Sequence, residues 1–469
     1  MLDSLFKNKY FSFVYTLFLF LGACAVAVCN WEVNGAILFA YIASAALILS
    51  SRLTDAMLPA MLLAVFVTRC YDSADVFLAK LPLMLPVVAA MALHFLIYRK
   101  QYRENLRVGR SFIGLCAVTV AVTLGGLGFI SSADYLSGSS LFYVVGLGMG
   151  MMLFYIIVKS NFTEDSPREV ARIMYVTGLL ACFCVLRFYV ADWELFTATW
   201  HSVKFQSENN LSTFLMLAMP FPLYYASKRY VDVFSVILMY ACILLTGSRG
   251  GQLMGTVEFF VILTVFACQR KQAKGFRILC GSTAMLCMSL LLLFLPRLAS
   301  FFNIIPDITE TPTVQAFFTT LKDYFLDKDD ARYKLILRMR DDFASNPLFG
   351  VGIGYTGNTD LYSPAKGAMN WYHVWFAQVV GSMGILGILA YGYQLLERVV
   401  IFFKNRSLLN LTFFLAYIGL FLMSQVNPGE FCPIPYAALA VTFFAMMEER
   451  PKKAEPQPER SFLSIRTFL

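Results

Sequence analysis

Apolar runs of about twenty residues recur along nearly the whole chain, divided by short polar connections, and each is long enough to cross a bilayer as a helix. About fourteen such runs begin near Tyr10, Asn34, Thr54, Ala79, Ser111, Leu141, Arg172, Asn210, Val231, Gln252, Arg277, His373, Asn410 and Phe431. None alternates apolar and polar positions as the strands of a membrane barrel do. The pattern predicts an all-α, polytopic membrane helical bundle. The first run follows Lys7 and Lys9 and resembles a signal peptide, but it is long and lacks a clear small-residue cleavage site. It reads as a retained helix.

One long polar segment interrupts the rhythm, from about 297 to 372. Within it Thr313 to Phe325 and Asp330 to Phe343 read as short helices, the second opened by Asp329 and Asp330 at capping positions. Residues 1–208 form an N-terminal set of spans, 209–450 a second membrane region that includes this loop, and 451–469 a Lys-, Glu- and Pro-rich tail expected to be disordered. No internal repeat is evident.

Basic residues set the orientation. Arg52, the cluster Arg99, Lys100, Arg103, Arg107 and Arg110, then Lys159, Arg168, Lys228, Arg229, Arg270, Lys271, Lys274, Lys404 and Arg406 all fall on connections of one parity. The turns around Trp31, Asp134 and Gly429 have none. By the positive-inside rule both termini are cytoplasmic and the 297–372 loop is external. Arg69, at the outer end of the short third span, is the exception.

Composition agrees with a membrane class: 58% hydrophobic and 14% charged over 469 residues. The net charge of +8 suits anionic headgroups, and no nucleic-acid partner is expected. The eleven cysteines form no CxxC pair and no cluster with histidine at metal-ligand spacing, so they read as packing residues. Cys29, Cys70 and Cys432 approach the outer face, where a disulfide can form.

The outer side then collects the groups capable of chemistry. Arg249 interrupts apolar sequence in Leu245-Thr246-Gly247-Ser248-Arg249-Gly250-Gly251. A charge at that depth either snorkels to headgroups or faces a cavity, partner or anion. Arg332, Lys334, Arg338 and Arg340 lie on the second loop helix, and His373 opens the twelfth span beside Trp371, Tyr372 and Trp375. The other two of the three histidines fall elsewhere: His94 near a cytoplasmic end and His201 in an outer connection. His373 is either an interfacial residue of an aromatic belt or a base. Two arginines offer forked donors to a pyrophosphate, and an imidazole near neutrality removes a proton from a sugar hydroxyl. Glu208 and Arg187 are further candidates for sugar contact. Gly350, Gly352 and Gly354 either let amides approach a phosphate or simply permit a turn. Asp327 and Asp329 resemble a divalent-cation pair, although helix capping accounts for Asp329.

These motifs, in this order, resemble the O-antigen ligase and O-antigen polymerase superfamily. The resemblance spans roughly Asn209 to Met446. It rests on Glu208-Asn209-Asn210-Leu211, Thr246-Gly247-Ser248-Arg249-Gly250-Gly251, Arg332 ahead of Asn346-Pro347-Leu348-Phe349-Gly350-Val351-Gly352-Ile353-Gly354, His373, Gly384-Ile385-Leu386-Gly387 and the closing Asn427 to Pro435. It implies a bundle-type (GT-C-like) glycosyltransferase, inverting and metal-independent, with no cofactor. The donor it implies is a polyprenyl-pyrophosphate-linked glycan, and the acceptor a glycan or lipid at the outer face of a bacterial inner membrane. Arg249 and Arg332 correspond to pyrophosphate-binding arginines and His373 to the base. Val374 and Ile336 depart from the Asn and Trp often found at those positions. The altered residue after His373 and the span count favour the polymerase version over the ligase. A flippase for the same lipid-linked glycan is the rival of another class. It is disfavoured because the two halves show no paired, interrupted helices. A structural membrane scaffold would leave the outward group of Arg249, Arg332 and His373 unexplained.

Overall fold

The structure, a computed structural model, describes residues 5–6, 8–29, 31–52, 58–59, 83, 85–194, 197, 208–301, 331–355 and 372–448. Outside that range fall the third span near Thr54 with Arg69 and Cys70, His201, the helix expected over Thr313 to Phe325, Asp327 to Asp330, Trp371 and the tail 451–469. Among the described residues all regular elements are helical. They are α1 (Lys9–Val28), α2 (Glu32–Leu49), α3 (Leu85–Ile97), α4 (Arg99–Asn105), α5 (Arg110–Leu124), α6 (Ser132–Tyr135), α7 (Gly138–Val145), α8 (Met151–Ser160) and α9 (Ser166–Ala191). There follow α10 (Glu208–Ala218), α11 (Pro220–Ala226), α12 (Asp232–Leu245), α13 (Arg249–Ala267), α14 (Lys274–Phe301), α15 (Ala331–Ser345), α16 (Trp375–Lys404), α17 (Leu408–Ser424) and α18 (Ala438–Met447).

Six helical stretches among the described residues are long and apolar enough to cross a membrane: Tyr10–Val28, Ser140–Ser160, Ser166–Ala191, Arg249–Ala267, Lys274–Phe294 and Trp375–Lys404. The shorter apolar helices include Asp232–Leu245 and Leu408–Ser424. Each run is predominantly apolar, which suits a medium that cannot hydrogen-bond a bare backbone. Leu21, Leu96, Val190, Phe234, Met285 and Leu293 point outward, as expected of helices that meet lipid rather than water.

Two cores organise the bundle. The larger joins α1 and α9 through α13 to α17 and α18, with Phe221, Phe413 and Phe443 at its centre. The smaller joins α5 and α8 to α16 around Leu115, Tyr155, Met383 and Tyr391. Along this second interface α5 and α16 run antiparallel: Arg110 pairs with Glu397 at one end, and Gly125 lies against Ser382 at the other.

Some cations assigned to cytoplasmic connections are engaged inside the bundle. Lys159 is buried, and its ammonium donates to the Ala445 carbonyl at 3.0 Å and lies 3.4 Å from Glu448. The run expected to begin at Arg172 starts at Ser166, so Arg172 lies within α9, where it donates to Ser12 of α1.

Candidate active site

The largest departure from a simple bundle is inside α16. Gly384 has φ of +59° and breaks the helix. The loop Pro347 to Gly352 inserts at this break with four backbone hydrogen bonds. Val351 and Gly352 donate to the carbonyls of Gly381 and Ser382 at 2.9 and 3.0 Å, while Ile385 and Leu386 donate to those of Pro347 and Leu348 at 2.9 and 3.2 Å. The loop therefore supplies the partners that the interrupted helix lost. Gly350, with φ of +63°, has no room for a side chain, since a Cβ there would sit 2.5 Å from the Gly381 carbonyl. Gly126 donates to the Phe349 carbonyl at 2.8 Å and fastens the loop to the end of α5. The amides of Gly350 and Gly352 are thus donated to protein carbonyls, Gly350 to Asn346 and Gly352 to Ser382. Of the two readings of these glycines the turn holds for both, and the phosphate-facing amide does not.

The break folds α16 back on itself. The rings of Trp375 and Tyr391 lie 5.8 Å apart, although about 16 residues of straight helix would separate them by about 24 Å. Residues Trp375 to Met383 form a short returning arm, and Ile385 to Lys404 the long one. His373 was expected to open a span at its outer end. It lies instead at the free end of the returning arm, alongside the middle of the long arm.

His373 is half-buried with φ of +56°, the single non-glycine residue of positive φ among the described residues. A left-handed histidine is strained, and such a residue persists where its surroundings over-determine it. The chain is held on either side of it. On one side Tyr372 is fully buried, its amide donates to Gln378 Oε1 at 3.1 Å, and its hydroxyl donates to Asp342 Oδ2 at 2.6 Å. Asp342 lies on the loop helix α15 and also accepts from Arg338 Nε at 3.0 Å. Burial pushes the Asp342 carboxyl up, opposed by the Tyr372 hydrogen bond and the Arg338 charge. On the other side Trp375 Nε1 donates to Glu430 Oε2 at 2.9 Å.

Glu430 is the hub of a buried network. Its Oε1 accepts from Arg398 and, at 3.3 Å, from the Tyr417 hydroxyl, and its amide donates to Ser424 Oγ at 3.2 Å. The Arg398 guanidinium lies over the rings of Tyr417 and Phe444, 4.5 and 5.2 Å from their centres, and those two rings meet edge to face. Reading the sequence for a site missed this pair. The available signal was two charges within apolar segments.

Arg249 is exposed and is the first residue of α13. Ser248 caps that helix, accepting from Gly251 N at 3.0 Å while donating to Asn209 Oδ1 at 2.7 Å. Gly250 packs against Val426, a few residues before Glu430, and the Tyr436 hydroxyl reaches the Asn210 carbonyl at 3.0 Å. The starts of α10, with Glu208, and of α13, with Arg249, therefore gather at the same end of the bundle as the Glu430 turn. A cation at a helix N-terminus favours an anion.

The other candidates are placed as follows. Arg332 lies in the first turn of α15, of which the backbone is described. Arg338 is tied to Asp342 and Arg340 to Asp341. Arg187 donates to the Val28 carbonyl at 3.3 Å, at the end of α1. His94 is buried between the Leu47 carbonyl and the Tyr102 hydroxyl, 2.6 Å from each. No disulfide joins Cys29 and Cys432. An apolar cavity of about 610 Å³ lies between α2, α3, α8 and the turn that follows Glu430, lined by residues such as Met91, Phe142, Phe154, Pro433 and Leu439.

An all-helical membrane bundle with cations and a strained histidine at one end fits the class of integral-membrane transferases. Residues 234–392 match the family described as O-antigen ligase, a stretch that includes Arg249, Arg332, the loop and both His373 and Gly384. The match supports the O-antigen ligase and polymerase superfamily and indicates membrane glycan transfer of the O-antigen ligase type by a glycosyltransferase-type enzyme, with a lipid-linked glycan as substrate. No curated protein matches the chain.

Proposed function

We propose that the chain is an inverting, metal-independent glycosyltransferase of the bundle type, with about fourteen spans and both termini cytoplasmic. It moves an oligosaccharide from a polyprenyl-pyrophosphate carrier to an acceptor hydroxyl at the outer face of a bacterial inner membrane. The observation that carries this reading is His373, the expected base, held in a left-handed conformation between the anchored Tyr372 and Trp375. His373 removes the proton of the acceptor hydroxyl, whose oxygen attacks the anomeric carbon as the bond to pyrophosphate breaks. A single displacement inverts that carbon. Arg249 and Arg332 bind the leaving pyrophosphate, the apolar cavity beside the Glu430 turn suits a lipid tail, and Glu208, Arg187, Arg338 and Arg340 are secondary contacts to sugar or phosphate. In this arrangement residues 209–450 carry the chemistry and 1–208 complete the bundle. Val374 after the base favours the polymerase version, in which the acceptor is another lipid-linked repeat.

The test separates donor binding from turnover in liposomes. Arg249→Ala is expected to lower turnover about a hundredfold, equivalent to about 3 kcal/mol, with partial recovery in Arg249→Lys, which keeps charge but loses the fork. His373→Ala is expected to bind donor and fail to transfer, and transfer by the wild type is expected to persist in excess chelator. Wild-type turnover in His373→Ala would remove the proposed base. Activity that vanishes with chelator and returns with magnesium or manganese would replace the arginine mechanism by a metal one.

A further inference from the structure

We propose that Glu430 is a positioning residue for His373, acting through Trp375, and that Arg398 holds Glu430 in the orientation this requires. The proposal rests on the reading of His373 as the base.

A buried ion pair is a costly way to hold a membrane bundle together. Desolvation of both charges offsets their attraction, and apolar side chains of similar volume commonly serve stability as well. Arg398 and Glu430 are nonetheless both buried, and both carboxylate oxygens are used. Oε1 faces the guanidinium and the Tyr417 hydroxyl, which leaves Oε2 aimed at the indole of Trp375. The position of this pair in the fold supplies a reason for it. In a straight helix Trp375 and Arg398 would stand about 34 Å apart. The fold at Gly384 brings them to the same carboxylate. Glu430 therefore ties the free end of the returning arm to the long arm.

That tie acts on His373 through two residues of backbone. Val374 is extended, with φ of −137° and ψ of +129°, and Trp375 is the first helical residue. An indole has one N–H, which must find a partner when buried, so its hydrogen bond fixes both the rotamer and the roll of the arm's first turn. Tyr372, anchored on Asp342, fixes the chain on the other side. His373 is clamped between these two points, and the strain of its left-handed backbone is maintained by them. Loss of either anchor lets the chain relax to an ordinary conformation and moves the imidazole.

Three variants test this in membranes of source cells lacking the wild-type gene, with the native lipid-linked glycan as donor, and in purified protein with polyprenyl pyrophosphate as the binding probe. Trp375→Phe keeps the Arg398–Glu430 pair and removes only the indole donor. It is expected to lower turnover at least about tenfold, in keeping with the sensitivity of transfer to small displacements, while polyprenyl pyrophosphate binds within about twofold of the wild type. The double variant Arg398→Met/Glu430→Leu replaces the pair by apolar side chains. It is expected to melt near the wild-type temperature and still to lose turnover by about tenfold or more. Wild-type turnover in Trp375→Phe overturns the proposal. So does a double variant that folds and turns over at the wild-type rate, since the pair would then serve only stability. If the double variant does not fold, Trp375→Phe decides alone. His373→Ala separates the two ideas. An inactive His373→Ala beside a fully active Trp375→Phe removes the positioning role and leaves the base, whereas an active His373→Ala removes both.

Discussion

Two buried glutamates end up in similar company at opposite ends of the bundle, and they perform different tasks. Glu448, at the end of α18, accepts from the Ser111 amide at 2.5 Å and the Tyr155 hydroxyl at 2.7 Å, and lies 3.4 Å from the Lys159 ammonium. Glu430 likewise gathers a cation, a tyrosine hydroxyl and an N–H donor. The first cluster sits where α5 begins and α8 and α18 end, so its carboxylate satisfies an orphan amide at a helix N-terminus and closes three helix ends. The second joins two arms of one broken helix and touches the residue two positions from a strained histidine. The same inventory of groups is a clasp in one place and a support for a candidate base in the other. Location relative to a break in the helix makes the difference.

That contrast fails or sharpens on three further measurements. Removing the clasp is expected to have the largest effect on stability: Glu448→Ala leaves Lys159 buried without its carboxylate partner and should cost about 3–5 kcal/mol, with turnover per folded molecule unchanged. Denaturation in detergent, paired with transfer assays normalised to folded protein, reads both quantities. A turnover defect without a stability defect would place Glu448 in the same role as Glu430.

Gly384→Ala is expected to come next. With φ of +59° and ψ of −148° the position lies in backbone that is essentially reserved for glycine, so alanine there costs on the order of 1–3 kcal/mol before any collision, and its Cβ would overlap the Pro347 carbonyl. The loop should leave the break, giving a loss of at least about 2 kcal/mol, faster amide exchange at Val351 and Gly352, and loss of transfer. Unchanged exchange at those amides would mean that the pairing does not depend on the glycine.

The smallest effect concerns Asp342. Its folded carboxyl is raised above the ordinary value of 3.8 by burial, so the folded state binds this proton more readily than the unfolded chain does. The stability contributed by that proton is present below the ordinary value and lost as pH rises through the folded one. Asp342→Asn removes the titration. The melting temperature of the wild type relative to Asp342→Asn should therefore rise as pH falls from neutral towards 3.8. A difference that is flat, or that moves the other way, would deny the burial effect at this contact.

The candidate site was partly legible beforehand. Arg249 stood out because a charge in apolar sequence demands a reason, and His373 because few histidines were available and this one sat among aromatic residues on the same side. The glycines of Asn346 to Gly354 were read as either turn or phosphate cradle, and tertiary pairing of the Gly350 and Gly352 amides decided for the turn at both. Arg398 stands beside Glu397 in otherwise apolar sequence, and nothing local says that the two face different partners. Glu397 pairs with Arg110. Its neighbour points the other way, into the bundle, and a linear reading cannot separate two adjacent residues by the face they occupy in a helix whose partners are unknown.

Helix formation followed from the sequence itself, because a backbone in lipid must satisfy its own hydrogen bonds and apolar runs of that length leave the helix as the available solution. The order of Arg249, the glycine-rich loop and His373, and with it the family resemblance, was likewise written in the chain. The fold at Gly384 was not. Gly384-Ile385-Leu386-Gly387 carries no local instruction to leave the helix, since a glycine adopts right-handed and left-handed backbone with similar ease. What selects the left-handed state is the carbonyl of Pro347 and the amides of Val351 and Gly352, which arrive from a separate segment. Once that break exists, Trp375 reaches Glu430 and Glu430 reaches Arg398, 32 residues apart in the chain. Local chemistry fixes what a segment can become; contacts between distant segments choose among those states, because only they supply the missing hydrogen-bond partners.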